Sequence, residues 1–400
     1  MKYEFRTQID PGEYLKFASQ LTHCNFMQKP MWAAVKSGWR SVLCGLYVDG
    51  RLMAASMLLI RSLVLGQKII YAPRGYLCDF SDDGLRQAFT DGVRAFARKQ
   101  GAYMVRIDPE IILARRFRDQ TWDCSEGRIL LEKLTAEGYR HRGFASDFRT
   151  YTQPRFNAEF PLICDGRPLR DEEIRQRFEK KARKYVGHYP EERGIFFTRG
   201  NGDGEIAEFA AISRCTEDRQ HILLRDERYF RRIRDAFGEE CMFFFAKMDL
   251  RRFLAFLDAH PDDPHTLEDR ALAEELLATR GPVISLAAIQ MLRSNDTAYL
   301  MYSGFNDKVF SRFRTTISLR WEAMRYYRDL GCGVFSFMGI HGDLNDSLSE
   351  FKLKFNPVVV EYMGELDLPV RPVRYQVMDR LLPVGKRIYI RCMLRFRRKK

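Results

Sequence analysis

The chain has no stretch approaching the roughly 18 consecutive apolar residues of a membrane-spanning helix. Its opening residues, MKYEFRTQID, have no apolar core of an export signal, so a cytoplasmic location is expected. Nine cysteines are scattered with no CxxC pair and no regular spacing. That pattern argues against a disulfide framework and predicts reduced thiols. The seven histidines form no HExxH motif and no Cys/His cluster, so no metal site is expected. Acidic residues are in the minority: 53 Asp and Glu face 66 Lys and Arg, a net charge of +13. This balance points to a polyanionic partner such as RNA, an anionic membrane surface or a phosphorylated substrate.

What the chain does have is apolar residue enough for large cores. It is 46% hydrophobic and 13% aromatic over 400 residues, a length that suits two or three domains. Part of the basic excess sits at the end. Lys386, Arg387, Arg391, Arg395, Arg397 and Arg398 interleave there with Ile388, Tyr389, Ile390, Met393, Leu394 and Phe396. Such a tail suits an anionic leaflet or RNA, and it equally suits a solvated terminal element.

A weak internal duplication is the most informative feature. LCGLYVDGRLMAASMLLIRSL reads as two strands turning at Asp49-Gly50, and KIIYAPRG as a third. Leu85, Ala88, Phe89, Val93, Phe96 and Ala97 mark one helix face, Gly101 ends that helix, and AYMVRIDP follows as a strand. Later, ISLAAIQMLRSN and TAYLMYSGF read as strands turning near Asn295-Asp296. Phe313, Ile317, Trp321 and Met324 mark a helix face, Gly331 closes the helix, and GVFSFMG is a strand. Tyr71 and Gly101 are 30 residues apart and Tyr302 and Gly331 29; Asp108 and Met338 each lie 7 beyond the glycine. Matched order and spacing predict two copies of one domain.

A hairpin feeding a helix and a strand is the middle of an N-acetyltransferase-like domain. Such domains normally cradle coenzyme A with an [RQ]xxGx[GA] loop at a helix N-terminus. The one literal match, Arg199-Gly200-Asn201-Gly202-Asp203-Gly204, carries Asp203 and Glu205 where pyrophosphate would sit. It reads as a turn and a helix cap. Neither copy has the loop between its third strand and its helix.

These segments also resemble a family, the Fem-type peptidyltransferases (FemABX) that build the interpeptide bridge of bacterial peptidoglycan. FMQKPMWAAVKSGW, IIYAPRGYLCDF and VRIDP match in the first half, and EIRQRFEKKARKYVGHYPEERGI and FAAISRCTEDRQHILLRDERYF in the middle. ISLAAIQMLRSNDTAYLMYSGFND, LGCGVFSFMGIHGD and LSEFKLKFNP complete the order, so the likeness spans roughly residues 20–360. Tyr76 departs from the family's second Pro. The helical arm common in the second lobe is short here and broken by His260-Pro261-Asp262-Asp263-Pro264-His265. The resemblance implies an α/β (α+β) fold of two tandem N-acetyltransferase-like (GNAT-type) lobes with a short helical hairpin in the second. The expected boundaries are 1–150 for the first lobe, joined by 357–400; 151–356 for the second; and 246–281 for the hairpin.

The implied activity is an aminoacyltransferase. It would move an amino acid from aminoacyl-tRNA, a co-substrate, to an amine on the stem peptide of a lipid-linked or UDP-linked muramyl pentapeptide. The ester is already activated, so no cofactor or metal is required, and a monomer touching the inner membrane face is expected. An amine of pKa about 10.4 is mostly protonated at neutral pH. The site must therefore take up a proton, stabilise an oxyanion and align the two ends.

Asp108, at a strand end, is the candidate for receiving or orienting the amine; the bland alternative is an ordinary Asp-Pro turn. Lys36 lies one helical turn after Trp32 and matches the family lysine that helps hold the precursor's phosphates or peptide. Arg74 suits a phosphate or carboxylate fork, and Tyr103 a hydrogen bond to precursor oxygens. In the second lobe Arg219 and Tyr229 match positions contacting precursor phosphate and peptide, although Arg225, Arg228, Arg231 and Arg232 crowd that stretch. Tyr302 is expected to face the cleft. Lys352 matches the family's F-K segment near the reaction centre, where it would stabilise an oxyanion or a tRNA phosphate. In a strand Lys354 would point the same way. The run Arg175, Arg177, Lys180, Lys181, Arg183, Lys184 reads as a basic helix for tRNA or membrane. Two other readings stay open: the same fold with another acyl donor such as acyl-CoA, and a non-catalytic RNA- or membrane-binding relative.

Overall fold

In the computed structural model, residues 2–63, 66–147, 150–220 and 225–380 are described, the side chains of 216–220 excepted. The basic tail from 386 and the Arg219 side chain lie outside the described residues. The first sheet begins with β1 (Tyr3–Thr7), β2 (Arg40–Val48), β3 (Arg51–Ser62), β4 (Lys68–Ala72) and β5 (Ala102–Ile107). The chain then leaves for β6 (Ile112–Phe117) and β7 (Gln120–Asp123), returns for β8 (Arg140–His141) and crosses again to β9 (Phe156–Pro161). A small hairpin follows, β10 (Ile163–Cys164) with β11 (Arg167–Pro168). The second sheet then takes β12 (Ile195–Gly200), β13 (Cys241–Asp249), β14 (Val283–Ser294), β15 (Thr297–Phe305), β16 (Val334–Gly339) and β17 (Val358–Tyr362). Finally β18 (Leu366–Pro369) rejoins the first sheet.

The sheet orders are β1-β2-β3-β4-β5-β18-β8 and β12-β13-β14-β15-β16-β9-β17-β6-β7. Each contains one parallel pair, β4 with β5 and β15 with β16. In each the pair is joined by a crossover helix: α3 (Asp83–Gln100) in the first and α12 (Thr315–Asp329) in the second. The duplication is therefore real in three dimensions, and its lobes are N-acetyltransferase-like. The hairpin turns form where the sequence places them, with positive φ at Asp49, Gly50 and Asn295. Gly101 closes α3 at φ 74°, the left-handed conformation that favours glycine.

The lobe boundaries need correcting. The segment 112–123, expected in the first lobe, forms β6 and β7 in the second sheet. The segment after 356 is shared, since β17 pairs with β9 and β6 whereas β18 pairs with β5. The hairpin insert is α10 (Leu250–Ala259) and α11 (Thr266–Arg280), and Ala246–Asp249 belongs to β13. β13 is buried along almost its whole length, so it shows no polar–apolar alternation by which to read a strand. The expected basic helix is three short pieces: α5 (Asp171–Arg177), α6 (Lys180–Arg183) and α7 (His188–Glu192). Phe178 leaves the helical region to bury its ring, and Gly187 turns at φ 76°.

One hydrophobic core belongs to both lobes. Around α1 (Pro11–Gln20) and α2 (Met31–Val35), Tyr14, Phe26, Trp32 and Val35 pack against residues of α8 (Asp203–Gln220), α9 (Glu227–Phe237) and β14–β15. Phe26 meets Trp32 and Tyr299 edge-on, each with ring centroids 5.0 Å apart. The lobes are thus parts of one packed unit.

Candidate active site

The parallel pairs differ between lobes. β4 and β5 stay paired from Lys68–Ala102 to Ala72–Ile107, so the first lobe is closed. β15 and β16 pair only from Thr297–Val334 to Tyr299–Ser336 and then part. Tyr302 lies on one parted limb, and Met338 and Gly339 on the other. Lys352, on α13 (Ser347–Leu353), donates from Nζ to the Gly339 carbonyl. Because α13 is a helix and no strand, Lys354 does not share its direction; Lys354 lies over the Phe351 ring. Lys352 is 8% exposed, and burial pushes its pKa down to about 7, with Arg320 adding to the fall.

Beside Tyr302 the helices α2 and α9 bring the precursor-contact candidates together. The Lys36 ammonium sits 4.7 Å from the Trp32 ring, one turn away. Burial and nearby Arg225 both lower its pKa. The Arg225 guanidinium stacks 4.8 Å from the Tyr229 ring, and the Tyr229 and Tyr302 hydroxyls are 3.5 Å apart. Arg225 is one of the crowded arginines; the side chain of Arg219, the expected contact, lies outside the described residues.

Arg74 occupies the interlobe seam. Its backbone N–H donates to Asp108 Oδ1 at 2.6 Å, and its Nη2 donates to the Pro154 carbonyl at 2.7 Å. A Cβ on Gly339 would come within 2.4 Å of the Pro154 ring, so the Arg74 turn, Pro154, Gly339 and Lys352 form one chain of contacts. Asp108, expected to receive or orient the amine, is buried beside Arg74. Asp108 is 1% exposed, and its second oxygen accepts from the Tyr71 hydroxyl at 2.7 Å. Burial pushes it up to about 7. Asp108 bonds the backbone of Arg74, which is in the left-handed conformation, φ 54°. Tyr103, expected to bond precursor oxygens, is buried as well. It lies at the opposite end of β5, buried against Tyr375 and Met378. It is five residue steps from Asp108 along the strand, about 16 Å.

Sequence reading missed the acidic partners of this seam. Glu110 accepts from His23 Nε2 at 2.7 Å and Asn25 Nδ2 at 2.9 Å, while His23 Nδ1 lies 3.5 Å from Asp296 of the second lobe. Tyr362, under the Arg74 guanidinium, donates to Glu159 at 2.7 Å. A cleft of about 610 Å³ runs over His23, Asn25, Arg74 and Glu110. Burial opposes the imidazolium, but Glu110 and Asp296 outweigh it and raise His23 to about 10. Its contribution to stability is complete below the ordinary 6.5 and is lost as pH rises through 10. His23→Gln should therefore lower Tm at pH 6.5 and leave it nearly unchanged at pH 10. Parallel Tm–pH curves for the two proteins would refute this lock.

Of the basic run, Arg177 stacks on Phe117 and Phe160, and Arg183 donates to the Phe178 carbonyl. Arg175 and Lys184 line a separate cleft of about 1000 Å³ with Tyr189 and Trp321. Asp203 opens α8 and pairs with Arg231 and Arg234, in keeping with a turn and cap. His341, Asp343 and Asp346 approach within 4.8 Å of one another, a grouping not read in the sequence. The Asp346 carboxylate caps α13 through the Leu348 and Ser349 N–H groups.

A closed lobe and an open lobe sharing one core, with cations around the opening, define a two-lobed acyltransferase-like protein. The FemAB family model matches residues 9–263 and 259–381, and the chain belongs to that family. It is 23% identical to a lipid II:glycine glycyltransferase of Staphylococcus aureus (strain MRSA252), covering 98% of this chain and 100% of that protein. It is 24% identical to the protein of that name from Staphylococcus haemolyticus (strain JCSC1435), over 94% of this chain and 96% of that one. The crystal structure of FemX superposes with a TM-score of 0.80 at 22% identity, covering 94% of this chain and all of that one.

Proposed function

We propose that the protein is an aminoacyltransferase of peptidoglycan bridge formation. It adds an amino acid from aminoacyl-tRNA to an amine on the stem peptide of a lipid-linked precursor. The observation that carries this reading is the parting of β15 from β16 in the second lobe alone, with Lys352 at its foot and Lys36, Arg225, Tyr229 and Tyr302 along its side. Membership of the FemAB family and the glycyltransferase relatives support the same substrate class. The amine adds to the ester carbonyl, the carbon–oxygen bond to the tRNA 3′ oxygen breaks, and an amide forms. The proton released by nitrogen goes to the departing oxygen. Lys352 supplies N–H donors to the negative charge on the carbonyl oxygen. Lys36 and Arg225 hold precursor phosphate, and Asp108 positions Arg74. No protein base is assigned, because Asp108 is sealed.

The test is mass spectrometry of a lipid-linked muramyl pentapeptide incubated with the full chain and a charged tRNA pool. A gain of one aminoacyl residue, abolished by prior ribonuclease treatment, is expected. A gain of an acetyl group with acetyl-CoA instead, or no gain with any amino acid beside an active control enzyme, would sink the proposal.

A further inference from the structure

The buried arginines other than Arg320 have acidic neighbours among the described residues. Arg86 is held by Glu137 and Asp83, and Arg155 by Glu361. Arg320 differs. Among the described residues it has no acidic partner: it is 5% exposed on α12, its Nη1 donates to the Thr316 carbonyl of its own helix, and its Nε, like that of Arg155, has no hydrogen-bond partner. Its guanidinium lies 4.8 Å from the Phe351 ring, whose chain neighbour is Lys352. Burial, with no acidic group offsetting it, pulls its pKa down. Lys352 is also short of a counter-ion: among the described residues Asp346 is the favourable charge near it, and that carboxylate is committed to the α13 cap. Two neighbouring buried cations without an anion are costly unless a ligand supplies the negative charge.

We propose that Arg320 and Lys352 form a buried site for a tetrahedral oxyanion group of the ligand, with Arg320 Nε and the Lys352 ammonium as its donors. Planar guanidinium and point-like ammonium together suit phosphate-like geometry. The group is either a phosphate carried by a substrate or the oxyanion formed when the amine adds to the ester. Only that choice of source rests on the proposed transfer reaction.

The test uses the full chain, inorganic phosphate as probe, and Arg320→Met and Arg320→Lys. Phosphate should raise the Tm of the parent. Arg320→Met should keep or exceed the parent's Tm without phosphate, since it removes an uncompensated charge, and should weaken phosphate binding by about 10- to 100-fold. Arg320→Lys should restore part of that binding. In transfer assays a higher KM assigns the anion to a substrate phosphate, and a lower kcat at unchanged KM assigns it to the addition step. A purely structural arginine predicts the reverse: Arg320→Met lowers Tm, and phosphate protects parent and variant alike. That outcome overturns the inference even if transfer is observed. Conversely, phosphate binding that depends on Arg320 in a protein showing no transfer would uphold the site and remove the proposed reaction.

Discussion

Lys352→Met is expected to slow amino-acid transfer by about 10²–10³-fold, the usual cost of removing one preorganised oxyanion donor. The geometry makes this substitution clean. The Lys352 stem is buried on α13, and methionine reproduces most of its length without the charge. The one bond lost in the resting protein is that to the Gly339 carbonyl. Burial already disfavours the ammonium, holding its pKa near 7 against an ordinary 10.5. In the range between these values the unfolded chain binds the extra proton, so stability from this residue rises with pH. Lys352→Met should remove that slope and leave Tm at neutral pH at or above the parent's, because the cost of burying the charge is gone. Single-turnover transfer with pre-charged tRNA, read beside Tm, checks both. A variant that reacts at the parent rate takes Lys352 out of the mechanism.

Phe26→Ala is expected to cost about 3–5 kcal/mol of stability, the range for deleting a fully buried aromatic ring. Phe26 is 0% exposed and touches Trp32 of its own lobe and Phe237 and Tyr299 of the other. Its loss opens a cavity where the lobes meet, so denaturant unfolding should move to lower concentration for both lobes together. Two separated transitions in the parent, with only one shifted in the variant, would contradict the shared core. The same substitution should weaken transfer beyond its effect on folding, because Lys36 is carried by the helix that Phe26 supports.

Local features were legible before the structure. Asp49-Gly50, Gly101 and Gly331 announce turns and helix ends, because a positive φ restricts residue type at the position itself. The helix faces of α3 and α12 and the repeat follow from spacing along the chain, and the family resemblance points to the segments carrying Lys36, Tyr229, Tyr302 and Lys352. Long-range pairing was not legible. β6 and β17 carry β-prone residues that would suit either sheet, β7 is largely polar and exposed, and only the pairing beside β9 decides which sheet they join. β13 hides because burial on both faces erases its periodicity.

The site divides in the same way. Residue types at motif positions identified which lysines and tyrosines to watch, since each needs only its neighbours in sequence to be noticed. Whether a carboxylate meets substrate or is sealed depends on groups far along the chain. Asp108 is closed by Tyr71 and the Arg74 turn, 37 and 34 residues away, and Tyr103 is buried by a segment more than 250 residues later. His23, Glu110 and Asp296 meet only because the lobes fold onto one core. Burial sets their charge, and burial is a property of the packed whole that no stretch of sequence carries.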